Sequence, residues 1–220
     1  MTISHISQPR LKTLCFISLL TLLSIASHAY ALDFSYIKGE ESADFPYAFF
    51  SAISADGSTA IGMRRMASDT SQAFRWTTDG GVESLVVAGE ANTDARLVSD
   101  DGSVIIIEAM GMDTSTLYLW TEEGVLNLAD TFFGVEAMSS DGSSLVGYNY
   151  DGTNSHATRW DATNGALALG TLAGDTHSNA TGIADNGTII GLSWPDDPVT
   201  HGFRWTEIDG LQSLGDLDPT

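Results

Sequence analysis

The sequence predicts an all-β repeat protein, a β-propeller-like array of about four four-stranded blades, with an open β-solenoid-like stack as the alternative. Three observations predict it. Two landmarks recur in step four times along the chain, turn residues punctuate short apolar runs, and no stretch after residue 31 offers a helical apolar period over 11 residues.

The first landmark is an acidic turn, at 54–58 (SADGS), 99–103 (SDDGS), 139–143 (SSDGS) and 184–188 (ADNGT). Its acids align as Asp56, Asp101, Asp141 and Asp185, at intervals of 45, 40 and 44 residues. The second is a tryptophan closing a short apolar tetrad, at 73–76 (AFRW), 117–120 (LYLW), 157–160 (ATRW) and 202–205 (GFRW). Trp76, Trp120, Trp160 and Trp205 follow their acids by 20, 19, 19 and 20 residues. The units run at about 45–88, 89–132, 133–173 and 174–217.

Each unit reads as four strands. Asp-Gly between apolar runs is the signal of a two-residue hairpin, whose central positions favour positive φ. A short strand such as 50–53 (FSAI) precedes it, and an apolar strand such as 59–62 (TAIG), 104–107 (VIII), 145–147 (LVG) or 189–191 (IIG) follows. The tryptophan tetrad is the third strand, aromatic as strands prefer. A glycine turn leads to the fourth, at 82–85 (VESL), 125–128 (VLNL), 167–169 (LAL) and 211–214 (LQSL). One unit is too small to shelter its own apolar faces; stacked neighbours do that for it. The run 33–37 (DFSYI) reads as a stray strand ahead of the first unit, and self-association is a second way to complete a four-unit ring.

The N-terminus reads as a secretory signal: Arg10 and Lys12, then the apolar run 14–26 (LCFISLLTLLSIA), then Ala29-Tyr30-Ala31 with cleavage expected after Ala31. The apolar run is shorter than the roughly 20 residues of a membrane-spanning helix. The expected organisation is therefore a signal peptide at 1–31 and a single β-repeat domain at 32–220, with no stable membrane span, exported to the periplasm, cell surface or medium. Cys15 is the only cysteine, so a disulfide framework is excluded. Of nine basic residues, losing Arg10 and Lys12 leaves seven, scattered among 29 acids. That balance argues against nucleic acid, whose phosphates need Lys and Arg, and against an anionic membrane surface.

The motif set resembles the bacterial extracellular HAF repeat, whose pattern joins an Asp-Gly turn, an apolar strand ending in Gly, a His-Ala-Phe-Arg-Trp strand and a Leu-Gly-x-Leu strand. The name-giving triplet stands here as Gln72-Ala73-Phe74, Thr116-Leu117-Tyr118, His156-Ala157-Thr158 and His201-Gly202-Phe203. The Leu-Gly-x-Leu piece stands at 169–172 (LGTL) and 214–217 (LGDL). The likeness covers about residues 34–217 and implies export, β-repeat architecture and a surface or extracellular setting; it supplies no substrate. The second unit departs most, with Leu119 in the slot of Arg75, Arg159 and Arg204, and Ile107 in the slot of Gly62, Gly147 and Gly191.

The repeated residues have structural explanations. Asp suits a tight turn through its own hydrogen bonds, and a repeated Trp packs between units. An Arg between sheets pairs with carboxylates or strand carbonyls. The functional alternatives are a ring of Arg75, Arg159 and Arg204 around an anionic sugar or carboxylate, and Trp194, in the loop 193–198 (SWPDDP), as a contact residue for a ligand or partner. No zinc spacing, nucleophile elbow, phosphate loop or dinucleotide fingerprint occurs. No cofactor is expected; calcium is the lesser alternative, since the pairs Asp100-Asp101 and Asp196-Asp197 are not an oxygen-rich loop. The function expected is non-enzymatic interaction with a protein or glycan. The alternatives are a propeller-type enzyme acting on polysaccharide and a passenger-like fragment of an autotransporter.

Overall fold

The structure is a computed structural model; it describes residues 47–111, 115–129, 131–196 and 199–215. The signal segment 1–31 and the stray strand 33–37 lie outside the described residues.

Sixteen strands form four separate four-stranded sheets. The first holds β1 (Tyr47–Ile53), β2 (Thr59–Arg65), β3 (Ser71–Thr77) and β4 (Gly81–Ser84). The second holds β5 (Thr93–Val98), β6 (Ile105–Met110), β7 (Ser115–Thr121) and β8 (Gly124–Asn127). The third holds β9 (Gly134–Met138), β10 (Ser144–Tyr150), β11 (Ser155–Asp161) and β12 (Gly165–Gly170). The fourth holds β13 (His177–Ile183), β14 (Ile189–Trp194), β15 (His201–Thr206) and β16 (Gly210–Ser213). Every sheet is an antiparallel meander in chain order, so strands pair only within their own unit. The fold is that of propeller blades, and no strand pairing among the described residues joins the fourth sheet to the first.

Successive side chains alternate between the faces of each sheet. One face carries the tryptophan row: Ile53, Ala60, Trp76 and Val82 in the first sheet, then Val98, Ile105, Trp120 and Val125, then Met138, Leu145, Trp160 and Ala166, then Ile183, Ile189, Trp205 and Leu211. The opposite face carries the arginine row: Ala52, Ile61 and Arg75, then Leu97, Ile106 and Leu119, then Ala137, Val146 and Arg159, then Gly182, Ile190 and Arg204.

The three buried clusters are the three junctions between these faces. Ile61 and Ala73 of the first sheet meet Ile105, Ile107 and Trp120 of the second. Ile106 and Leu117 of the second meet Leu145 and Trp160 of the third. Val146 and Ala157 of the third meet Ile189, Phe203 and Trp205 of the fourth. In the second, third and fourth sheets the tryptophan face thus covers the arginine face of the preceding sheet. A fully buried large apolar side chain contributes about 1.5–3 kcal/mol, so no sheet would hold its shape without a neighbour.

The first two strands of every sheet pair through a bulge, leaving Ser51, Arg96, Glu136 and Thr181 out of register. The glycine that ends the second-strand motif sits opposite that bulge. A Cβ on Gly62 would meet the Phe49 carbonyl oxygen, one on Gly147 the Gly134 carbonyl oxygen, and one on Gly191 both the Asn179 carbonyl oxygen and the Phe203 ring. Phe74 and Phe203 lie in the same cross-strand rows as Gly62 and Gly191 and are fully buried. The second sheet solves the same space differently. Ile107 is itself fully buried, its partner Tyr118 is only partly buried, and the Tyr118 hydroxyl donates to Glu90 at 2.7 Å.

The acidic turn differs from the sequence expectation. Only its glycine takes positive φ, at 74° for Gly57, 75° for Gly102, 71° for Gly142 and 77° for Gly187; the aspartates do not. Four residues, not two, separate the closing pair, in which the Ser54 N–H donates to the Thr59 carbonyl at 2.8 Å and the Gly57 N–H donates back to the Ser54 carbonyl at 3.0 Å. The longer loop follows from the side chains described next, which bond the backbone in place of a tight two-residue turn.

Gly147→Val is expected to lower stability by at least about 2 kcal/mol, because the clash is with backbone that cannot rotate away. Thermal unfolding of the variant beside the parent checks this; an unchanged midpoint would refute the tight approach.

Candidate functional site

The turn aspartates are bound to their own loops. Asp56 accepts the Ser54 hydroxyl at 2.7 Å and the Ser58 N–H at 2.9 Å, while the Ser54 oxygen accepts the Thr59 N–H at 3.0 Å. Asp101 does the same with Ser99 and Ser103, and Asp141 with Ser139 and Ser143. The Ser54 hydroxyl and Ser58 N–H hold the Asp56 carboxyl below its ordinary range, and the Ser103 and Ser143 N–H groups do so for Asp101 and Asp141. In the fourth turn the position belongs to Asn186, whose Oδ1 accepts the Thr188 N–H at 3.0 Å. Asp185 stands one residue earlier and accepts the Ser140 N–H across the junction at 3.4 Å. Matching acid to acid put Asp185 in register; matching the glycines puts Asn186 there.

The arginine slot is a junction slot. The Arg75 guanidinium lies 4.5 Å from the ring centre of Trp120 in the next sheet. It pairs with Glu83 of its own sheet at 2.7 Å and with Glu122 of the next at 2.5 Å, and its side chain is 15% exposed. Leu119 fills the same slot in the second sheet and packs into the cluster containing Trp160. A cation over an indole and a leucine against one are alternative ways to cover the same ring. The small residue of the triplet also has a junction role. Ala73 and Ala157 are fully buried, and their N–H groups donate to Thr93 Oγ1 at 2.9 Å and Ser178 Oγ at 2.8 Å in the following sheet. Trp120, Trp160 and Trp205 are buried, while Trp76, with no described sheet before it, is partly buried.

Two of the three arginines do share a cavity. A cleft of about 840 Å³ opens at the acidic-turn end of the junction between the third and fourth sheets, lined among others by Ser139, Asp141, Arg159, Asp185, Arg204 and Asp209. Arg159 Nη2 stands 3.3 Å from Asp161, and Arg204 Nη1 stands 3.6 Å from Asp209. The Arg159 Nε is buried without a hydrogen-bond acceptor. Each of the two cations is thus set beside a carboxylate at the cleft's edge. Arg75 lies at a different junction and does not line this cleft.

Trp194 is the last residue of β14, not a loop residue, because β13 pairs with β14 as far as His177 opposite Trp194. Its ring stacks on His177 at 5.5 Å with 13° between the planes. Each histidine among the described residues is tied to a carboxylate: His156 to Asp151 at 3.0 Å, His177 to Asp196 at 3.3 Å, and His201 to Asp175 at 3.0 Å. Among the described residues no group of three His, Cys, Asp or Glu side chains could hold a metal. Sequence reading missed Arg96. It is a bulge residue whose counterparts in the other sheets are Ser51, Glu136 and Thr181, and it is set between Asp94 at 3.6 Å and Glu108 at 3.4 Å beside a second cavity of about 530 Å³.

Arg75→Ala is expected to cost about 1–2 kcal/mol of stability, and Arg75→Leu less than half as much, because Leu119 already serves that slot. Paired chemical unfolding curves check the order; equal losses would mean that the slot needs a charge. A second expectation concerns Asp151, whose carboxylate accepts the Asn154 N–H and the His156 ring as well as the Thr153 N–H and titrates at about 2, below the ordinary 3.8. A lowered pKa in the folded state adds stability above 3.8 that is lost as pH falls through about 2. Melting points measured across that window should fall less steeply for Asp151→Asn than for the parent.

No protein-family model and no curated protein matches the chain. Solved structures do. The β-propeller domain of the Trilobed protease from Pyrococcus furiosus, described as having an open velcro topology, matches at 12% identity over 79% of this chain and 56% of that one, with a TM-score of 0.52. The putative TolB from Agrobacterium tumefaciens matches at 17% identity over 77% and 62%, with a TM-score of 0.51. Porphyromonas gingivalis dipeptidyl peptidase 4 matches at 10% identity over 76% and 30%, with a TM-score of 0.55. The chain spans less than two thirds of the length of each of these structures. What they share with it is the fold: this is a propeller-type β-repeat protein.

Proposed function

We propose that this protein is an exported, non-enzymatic interaction module of the HAF-repeat type, whose turn-end cleft takes a carboxylated ligand carried by a glycan or protein. The cleft is the observation that carries the reading: Arg159 and Arg204 line a cavity of about 840 Å³ together with turn hydroxyls, carboxylates, the Asn186 amide and the Trp205 indole. The recurrent Asp, Trp and Ala side chains serve turns and junctions, which leaves the two arginines as the repeat residues with a concave surface to act on. Export is supported by the charged, apolar and small-residue regions in succession at the N-terminus. An excess of 29 acidic over nine basic residues suits a protein that must remain soluble outside the cell. No helix among the described residues is long and apolar enough to cross a membrane.

A second reading, hydrolysis of a polysaccharide, draws on the carboxylates of Asp141, Asp185, Glu207 and Asp209 along the same cleft. One experiment separates the two. The protein is applied to immobilised uronate-bearing and neutral glycans, with and without calcium, while reducing ends are assayed. Retention on uronate glycans, weakened about 10-fold by Arg159→Ala and without release of reducing ends, is the expected result. Release of reducing ends that Asp209→Asn abolishes would replace this reading with the hydrolytic one, and retention indifferent to Arg159 would remove the cleft from it.

A further inference from the structure

The four sheets make three junctions, and each joins the same two surfaces, an arginine face and the tryptophan face that follows it. One copy of each surface is left over. The first sheet's tryptophan row has no described sheet before it. Ile53 is 48% exposed where its counterparts Val98, Met138 and Ile183 are partly buried, and Trp76 is partly buried where Trp120, Trp160 and Trp205 are buried. The fourth sheet's arginine row has no described sheet after it. Ile61, Ile106 and Val146 are buried under the next sheet, whereas their counterpart Ile190 is 51% exposed, with Leu192 beside it 43% exposed. Arg204 is 41% exposed at the side chain, where Arg75 is 15% exposed under Trp120.

These two surfaces are the halves of a contact that the molecule already makes three times. They lie on opposite ends of the array, and each internal junction joins one surface of each kind, never two of the same. We propose that a second copy of this chain docks head to tail, the fourth sheet's arginine face of one copy against the first sheet's tryptophan face of its partner. Trp76 of the other copy then packs against Ile190, as Trp120 packs against Ile61 within the chain. Ile190 enters the row formed by Ile53 and Val82. If both ends engage, two copies close a ring of eight blades, within the four to eight that propellers use. A heterologous contact closes only when its rotation completes a circle, and the rotation here is the one the chain takes from sheet to sheet. The formal charge of −20 per chain opposes association at low ionic strength, so salt should favour it.

The test uses the protein purified after export from a bacterial host, with mass measured by light scattering across concentration and salt. The expected result is a dimer whose share rises with salt. Ile190→Asp blocks the arginine face and Ile53→Asp the tryptophan face; both positions are exposed in the single chain, so neither threatens folding. Each variant alone should raise the dissociation constant about 100-fold or more, since a carboxylate is buried at the contact. An equimolar mixture of the two should recover a 1:1 dimer, because each supplies the face the other lacks. Circular dichroism confirms that the variants are folded. A monomer under all conditions would overturn the proposal, as would a dimer that survives both substitutions or a mixture that fails to recover it.

Discussion

The structure depends on one contact: an aromatic sheet face laid over the aliphatic face of the sheet before it. A four-stranded meander of about 40 residues has two apolar faces and no interior, so its own hydrogen bonds leave most of its apolar side chains in water. Repetition solves this because the two faces differ. The tryptophan row is broad and projecting, and the row of Ile, Val and Ala with an arginine or leucine is lower. Copied in series, each face finds its complement one unit away. The tryptophan recurs because it spans the junction, and Arg75 in the arginine slot roofs the next tryptophan, Trp120. The glycine recurs because the bulge opposite brings backbone oxygen to where a Cβ would stand.

Polar groups reinforce the same spacing. The N–H groups of Ala73 and Ala157 meet hydroxyls from the following sheet, and the turn at Asp100 donates its N–H to the Ser140 carbonyl at 2.8 Å. Such bonds specify register more than they add stability, since each replaces a bond to water. They also account for the mixture of hydrophobic and hydroxylated residues in strands that a purely apolar repeat would not need. The junction between the third and fourth sheets is where the turns draw apart: a Cβ on Gly187 would meet nothing, whereas one on Gly102 or Gly142 would strike the preceding unit. The cleft opens at that place, and Arg204 there is 41% exposed at the side chain, against 15% for Arg75.

The repeat length, the all-β class, the four strands per unit and the buried role of the junction tryptophans are written in the spacing of Asp-Gly turns and tryptophan tetrads, because alternation and turn chemistry act over a few residues. Even the departures at Ile107 and Leu119 were visible as departures. Their meaning was not, since it rests on what Tyr118 and Trp160 do across a sheet or a junction. The turn geometry was misread for a related reason: Asp-Gly alone signals a tight hairpin, but a serine two residues earlier bonds the aspartate and lengthens the loop. Trp194 read as a loop residue because Pro195 follows it directly, while β13 carries the pairing to that tryptophan.

What the amino-acid order determined by itself is therefore the unit and its number, which are consequences of local periodicity. Only the tertiary structure decided which face meets which, that Arg159 and Arg204 share a cleft from which Arg75 is excluded, and that one face of each kind has no described sheet against it at the ends. Those facts depend on distances between residues 40 or more apart in the chain, such as Arg75 and Trp120. No local propensity encodes a distance of that kind; the packing of one sheet on another does.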